Sequence, residues 1–285
     1  MGIPFDMEAI EAAFAQPACD GSFAPDFAAY LNELGQTRPS VVLAFAPKAA
    51  GTYLRSAAVL ATGGVLVRTV HAQGGRDAAF YLPAFLNYFA HGFPARTLIT
   101  HAHMQALPAN RHFIEALDLR PVIMLRAIPD MLASYWDMLD GDHLSPDNWI
   151  NLQVPPHFAA MRDAEKGDFL IRMVAPWYVS YFATWLEYAA AAPGRVLVLD
   201  YDAFRRDPVD TLERILRHSR VPGPRAKCEE ALAAVWEDRL SFRFNRGVAG
   251  RGRARFTPMQ IADLERQVAF YPGLASVAAR LIPPP

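Results

Sequence analysis

Apolar positions along the chain fall into two habits, short unbroken runs and longer stretches with apolar residues at helical spacing. The first run, Val41–Phe45, breaks at Pro47 and passes through Lys48, Ala49, Ala50, Gly51 and Thr52 into helix-forming sequence that stops at the paired Gly63-Gly64. Further segments at 65–70, 96–100, 120–125 and 195–199, apolar but with arginine or threonine among them, read as strands. Between them lie helical stretches from Pro129-Asp130 to about Leu139, over 175–192, from Asp207-Pro208 through His218, over 225–236, and from Thr257-Pro258 to about Phe270. Asp207 reads as an N-cap ahead of a first-turn proline, and Thr257 caps the last helix in the same way. Residues 1–38 read as a helical lead-in. Residues 140–170, with Gly141, Pro146, Pro155, Pro156 and Gly167, read as a long irregular lid or acceptor loop. This alternation predicts an α/β fold: a single domain over 1–285 with a central, mostly parallel sheet flanked by helices. Its ligand chemistry is expected at one sheet edge, beyond the carboxyl ends of the strands.

With 285 residues, 52% of them hydrophobic, the chain can bury a large core, and a formal net charge of -1 speaks against holding nucleic acid by bulk charge. Cys19 and Cys228 stand far apart without metal-type spacing, and Asp6 and Glu8 fall where a secretory signal would be basic and then apolar. A cytoplasmic protein with no membrane span and no metal is the expectation; oligomeric state is open.

Against that neutral background, local features stand out. The loop after the first strand is a run of small residues entering a helix, which lets backbone N–H groups and the helix dipole cradle an anion, with Lys48 and Thr52 as side-chain donors. Taken alone it is equally an ordinary strand-to-helix connection. His101 and His103 follow the third strand, Arg126 ends the fourth, and Ser134 lies two turns into the next helix. Arg126 and Ser134 are placed to share one phosphate. Four arginines between 246 and 255 are interspersed with glycines that allow the segment to fold around an anion. A nucleotide kinase would need its lysine after the loop glycines; Lys48 precedes Gly51.

Five segments in order resemble the sulfotransferases that use 3′-phosphoadenosine-5′-phosphosulfate (PAPS), of the cytosolic type and with the look of a bacterial member. Pro47-Lys48-Ala49-Ala50-Gly51-Thr52-Tyr53 is similar to the family's phosphosulfate loop, P-loop-like in form. Arg126, Asp130 and Ser134 match its 3′-phosphate element, and Ile99-Thr100-His101 its K-T-H segment. Val198–Asp202 with Asp207-Pro208 and Leu212 is similar to its Y-E-D segment, and Asn245–Thr257 to its C-terminal R-K-G-x-x-G run. There are departures: Gly51 stands one place later than in the P-K-S-G-T-T form, Ile99 replaces a lysine, Tyr53 a tryptophan, and Arg251-Gly252 an Asp-Trp pair.

The resemblance implies in-line transfer of a sulfuryl group from PAPS, leaving adenosine 3′,5′-bisphosphate (PAP), to a hydroxyl or amine. His101 would be the general base, with His103 as the fallback, and Lys48 would steady the leaving oxygen. Cofactor binding would fall to Lys48, Ala49, Ala50, Gly51, Thr52 and Tyr53 on the 5′ side. Arg126, Ser134, Asn245, Arg246 and Gly247 would take the 3′-phosphate, and Tyr53 and Tyr201 the adenosine. Aromatic residues, Phe80 and Tyr81 with Trp136 and His103, suggest an apolar or phenolic small-molecule acceptor; a glycan, a lipid or a peptide tyrosine is the alternative. A non-catalytic nucleotide-binding protein of the same fold is the rival reading.

Overall fold

The computed structural model describes residues 25–69, 80–90 (87–90 by backbone alone), 96–141, 154–237 and 250–284. Helix α1 (Pro25–Thr37) buries Phe27, Leu31 and Leu34, one stripe at helical spacing. Strand β1 (Ser40–Leu43) then leads into α2 (Gly51–Thr62), which ends where Gly63 adopts a φ of 61°. β2 (Val65–Leu66), α3 (Leu82–Ala90), β3 (Leu98–His101), α4 (Pro108–Ala116), β4 (Pro121–Leu125) and α5 (Ile128–Asp140) follow. β2 is shorter than its apolar run: pairing stops at Leu66, although the Val67 N–H still donates to the Ile99 carbonyl at 2.8 Å.

All five strands of the sheet are parallel, in the order β2-β3-β1-β4-β5, with β5 at Leu197–Asp200. β1, β3 and β4 are buried along their whole length, so none of them alternates apolar and polar residues face by face; the polar residues they contain, Ser40 in β1 and Thr100 and His101 in β3, are buried too. Because the strands are parallel, their carboxyl ends share one edge: Leu43 sits beside His101 and Leu125 beside Asp200 in the register. The chain crosses from β3 to β4 over β1, so the crevice for a ligand opens beyond β1.

Of residues 140–170, expected as an irregular loop, 142–153 lie outside the described residues and 154–170 are largely helical. A 3₁₀ turn (Phe158–Ala160) leads to α6 (Asp163–Phe169), and a π-turn (Leu170–Val174) joins it to α7 (Ala175–Ala191). Glu165 accepts the Arg162 N–H at 3.0 Å, a helix-start signal that the nearby prolines obscure. Gly167 is there for proximity: a Cβ would fall 2.7 Å from the Gln260 amide, which bonds Ala164 O and Asp168 on the same turn.

After β5 come α8 (Tyr201–Arg206), α9 (Pro208–His218), α10 (Arg225–Glu237) and α11 (Pro258–Ala269). Asp200, Asp207 and Thr257 each accept a first-turn N–H as N-caps of α8, α9 and α11. The chain does not end with α11; a 3₁₀ turn leads to α12 (Ala278–Leu281), whose Leu281 is fully buried. No helix among the described residues is long and apolar enough to cross a membrane.

Candidate active site

The loop between β1 and α2 is held by its carbonyl groups. Ala44 O accepts from the Tyr181 hydroxyl, Phe45 O from His103 Nδ1 at 2.7 Å, Pro47 O from the Tyr178 hydroxyl at 3.3 Å, and Lys48 O from the Arg126 guanidinium. Ala46 O takes the Ala49 N–H at 3.3 Å. Five consecutive carbonyls are thus turned toward protein donors, while α2 begins without any side-chain cap on its first turn. A first turn so arranged directs backbone N–H groups at a ligand and favours an anion. Burial keeps the Tyr181 phenol well above its ordinary pKa, although the Ala46 backbone pulls the other way, so it stays a neutral donor.

Lys48 and Ala50 both adopt positive φ, 65° and 63°, a region L-residues enter at a cost. The loop's glycine is not among the positive-φ residues. Gly51 answers a different need: a Cβ there would fall 2.1 Å from His101 Nε2, so the imidazole lies directly on the first residue of α2. His101 is 9% exposed, at the end of β3, with Phe45 and His103 edge-on to its ring at 6.4 and 4.8 Å. A carbonyl oxygen can only accept, so the bond to Phe45 O puts a proton on His103 Nδ1, and in the neutral ring Nε2 is then the acceptor nitrogen.

α7 fixes both parts of this arrangement. Tyr178 and Tyr181 grip the loop, and one turn further Trp185 Nε1 donates to Met104 O at 2.8 Å while Thr184 accepts the Ala106 N–H.

The third part is Arg126, 8% exposed, whose guanidinium lies 4.1 Å from the centre of the Tyr201 ring. Tyr201 packs on Phe204 at 5.6 Å and Phe204 on Tyr53 at 6.1 Å, an aromatic series from β5's exit to α2. The Tyr53 hydroxyl donates to Leu232 O of α10 at 3.3 Å, and burial raises its pKa. Arg126 and Tyr201 line a cavity of about 980 Å³ with Asp130, Asp200, Arg253 and Arg280. The Asp200 carboxyl sits below its ordinary pKa: burial works against this, but the Ala203 N–H and the Arg280 guanidinium outweigh it.

A family model described as the sulfotransferase domain matches residues 92–261, more than half of the chain. The chain belongs to the sulfotransferase family. Among solved structures, it is similar to a mouse sulfotransferase, SULT7A1, complexed with PAP, at 14% identity and a TM-score of 0.60, covering 92% of this chain and 95% of that one. At that identity the likeness concerns the fold alone. Two others score 0.49 and add nothing to it. One is a sulfotransferase from Alicyclobacillus acidocaldarius, at 16% identity over 85% of this chain and 96% of that one. The other is a retinol dehydratase in complex with androsterone and PAP, at 10% identity over 89% and 86%. No curated protein matches the chain.

In this sulfotransferase the expected site residues do not all meet. Ser134 is buried on α5, and Lys48 Nζ reaches Met138 Sδ on the same helix at 3.8 Å. Trp136, expected at the acceptor, is 1% exposed, packs on Phe256, lies under the Arg255 guanidinium at 4.4 Å and donates to Asp140. Phe80 is core, against Phe85 and Phe113, while Tyr81 is 40% exposed. The basic run is partly neutralised: Arg251 and Arg255 pair with Asp137, and Arg253 with Glu265. Asn245, Arg246 and Gly247 lie outside the described residues. Sequence reasoning missed Tyr178, Tyr181 and Phe204; a signal for the tyrosines is hydroxyls one turn apart on the buried face of a long, mostly apolar helix.

The loop's departure from the P-K-S-G-T-T form now has a physical account, because Ala50, at φ 63°, stands where that form has glycine, and Gly51 is required by His101. Ala50→Gly should stabilise the fold by about 1 kcal/mol. Gly51→Ala should cost about 1–3 kcal/mol, both changes read from urea denaturation midpoints.

Proposed function

We propose that this sulfotransferase moves a sulfuryl group from PAPS to a hydroxyl or amine of an apolar or phenolic small molecule, in the cytoplasm, with His101 as general base. The observation that carries the reading is the contact between the His101 ring and Gly51, which sets a base against the first turn of the anion-binding loop. The donor, when bound, supplies a sulfuryl group already activated on a phosphate leaving group. The first-turn N–H groups of α2, with Thr52, orient the 5′ side, and Lys48 provides a cation for the charge that builds on the departing oxygen. His101 takes the acceptor's proton as the acceptor's bond to sulfur forms and the bond from sulfur to the bridging oxygen breaks. Arg126 and Ser134, with Asn245, Arg246 and Gly247, are assigned the 3′-phosphate. Tyr201 and Tyr53, joined by Phe204, are assigned the adenosine. The cavity beside Arg126 is roomy enough for that end of a nucleotide.

A second reading has one observation behind it: the bond to Phe45 O puts a proton on His103 Nδ1, so in the neutral ring Nε2 is the basic nitrogen, which makes His103 the alternative base.

Calorimetric titration with PAP, followed by a screen of hydroxyl acceptors with sulfur-labelled donor, tests the whole reading. Binding of PAP and labelling of phenols are expected. Absence of PAP binding overturns the donor assignment; labelling of glycans, lipids or peptide tyrosine in place of phenols overturns the acceptor class alone.

A further inference from the structure

Asp130 lies in the first turn of α5, four residues past Arg126, and is 4% exposed. Both of its carboxylate oxygens accept backbone N–H groups from a segment more than a hundred residues further on: Oδ2 from Gly250 and Oδ1 from Gly252, each at 2.7 Å. A Cβ on Gly252 would fall 2.2 Å from the Pro129 carbonyl carbon and 2.3 Å from the Asp130 nitrogen, so the segment lies directly on the helix backbone. Gly250 has a φ of 81°, a conformation that favours glycine. The two glycines of Gly250-Arg251-Gly252 therefore have separate reasons, and Gly252, a departure from the family's tryptophan, is what admits this close contact. Further along the segment, Arg251 and Arg255 pair with Asp137 at 2.6 and 3.0 Å, two turns down the same helix. Residues of this segment, Gly250, Arg253 and Ala254, line the same cavity as Arg126 and Tyr201.

We propose that Asp130 is a positioning residue that holds residues 250–254 as a wall of the cavity that Arg126 also lines, and so sets the preference for a nucleotide with a phosphate on its ribose 3′ oxygen. This rests on the reading of that cavity as the nucleotide site. A bare carboxylate in the cavity wall would repel a phosphate; two N–H donors on its oxygens offset that charge and in the same stroke fix the segment that carries Arg253. Asp130→Asn keeps the volume but turns an NH₂ toward one glycine N–H, donor against donor, and opens one end of the clamp. Gly252→Ala opens the other end without touching the carboxylate.

The test is calorimetric titration of wild type, D130N and G252A with PAP and, separately, with adenosine 5′-phosphate, which lacks the 3′-phosphate. Wild type should prefer PAP, and each folded variant should bind PAP about 10-fold more weakly while its affinity for adenosine 5′-phosphate moves less than about 2-fold. Equal losses for both nucleotides would mean a merely structural clamp and overturn the proposal, as would a preference left unchanged in either variant. Should D130N fail to fold by circular dichroism, G252A decides alone. Wild-type protein that binds neither nucleotide overturns the nucleotide reading beneath it, a separate failure.

Discussion

His101→Ala should lower sulfuryl transfer by about 10²–10⁴-fold while PAP affinity stays within about 3-fold of wild type. The reasoning is positional. The imidazole lies on Gly51, the first residue of α2, and the loop before it is fixed through its carbonyls by Tyr181, His103, Tyr178 and Arg126. Removing the ring leaves those bonds in place, so the anion cradle should survive the loss of the base. His103→Ala is the informative partner, because it deletes a donor from the cradle: Phe45 O loses its 2.7 Å bond. That variant should lose stability by about 1–3 kcal/mol and weaken PAP binding, with a smaller effect on turnover of the bound complex. If His103→Ala abolishes turnover and His101→Ala retains it, the proton belongs to His103. Single-turnover rates with donor saturating separate the two cases, since binding defects then drop out.

The strands and their shared edge were legible in the sequence because burial on both faces leaves short apolar stretches, unbroken in Val41–Phe45 and Pro121–Leu125 and cut to Leu98-Ile99 between threonines in the third strand. That the loop, His101 and Arg126 gather at the carboxyl edge was legible because each stands at the end of a strand. What holds them was not. Tyr178 and Tyr181 meet the loop across 131 and 137 residues, and periodicity reports only that they are buried. The partners of the basic run were hidden for a related reason: arginines interspersed with glycines look ready for an external anion, and only the fold brings Asp137, on a distant helix, to Arg251 and Arg255. Trp136 was read as an acceptor residue from its chemistry, and its chemistry is used beneath Arg255 and beside Asp140. Two glycines have reasons that the sequence did not carry. Gly167 read as part of an irregular loop and Gly51 as one of the small residues of an anion cradle; both are sites where a neighbour leaves no room for a Cβ, a pairwise fact that spacing along one chain does not carry.

Arg126→Ala should weaken PAP binding by about 100-fold or more, the largest effect of any single change on the nucleotide side. One guanidinium serves both halves of the site: it donates to Lys48 O, holding the loop residue at φ 65°, and it lies over Tyr201 at the mouth of β5. Its Nε is buried without a protein partner among the described residues, so donor capacity remains for a ligand in the cavity that Arg126 lines. Alanine therefore removes a charge-assisted contact to phosphate and frees the Lys48 carbonyl at once. Arg126→Lys separates these effects. An ammonium keeps the charge but, as a point donor, lacks the planar fork that reaches Lys48 O and a phosphate together, and should recover only part of the loss. If lysine restores full affinity, charge alone suffices and the bond to Lys48 is incidental. If alanine itself binds PAP as wild type does, the 3′-phosphate is held elsewhere, and the cavity between α5 and β5 loses its claim to the nucleotide.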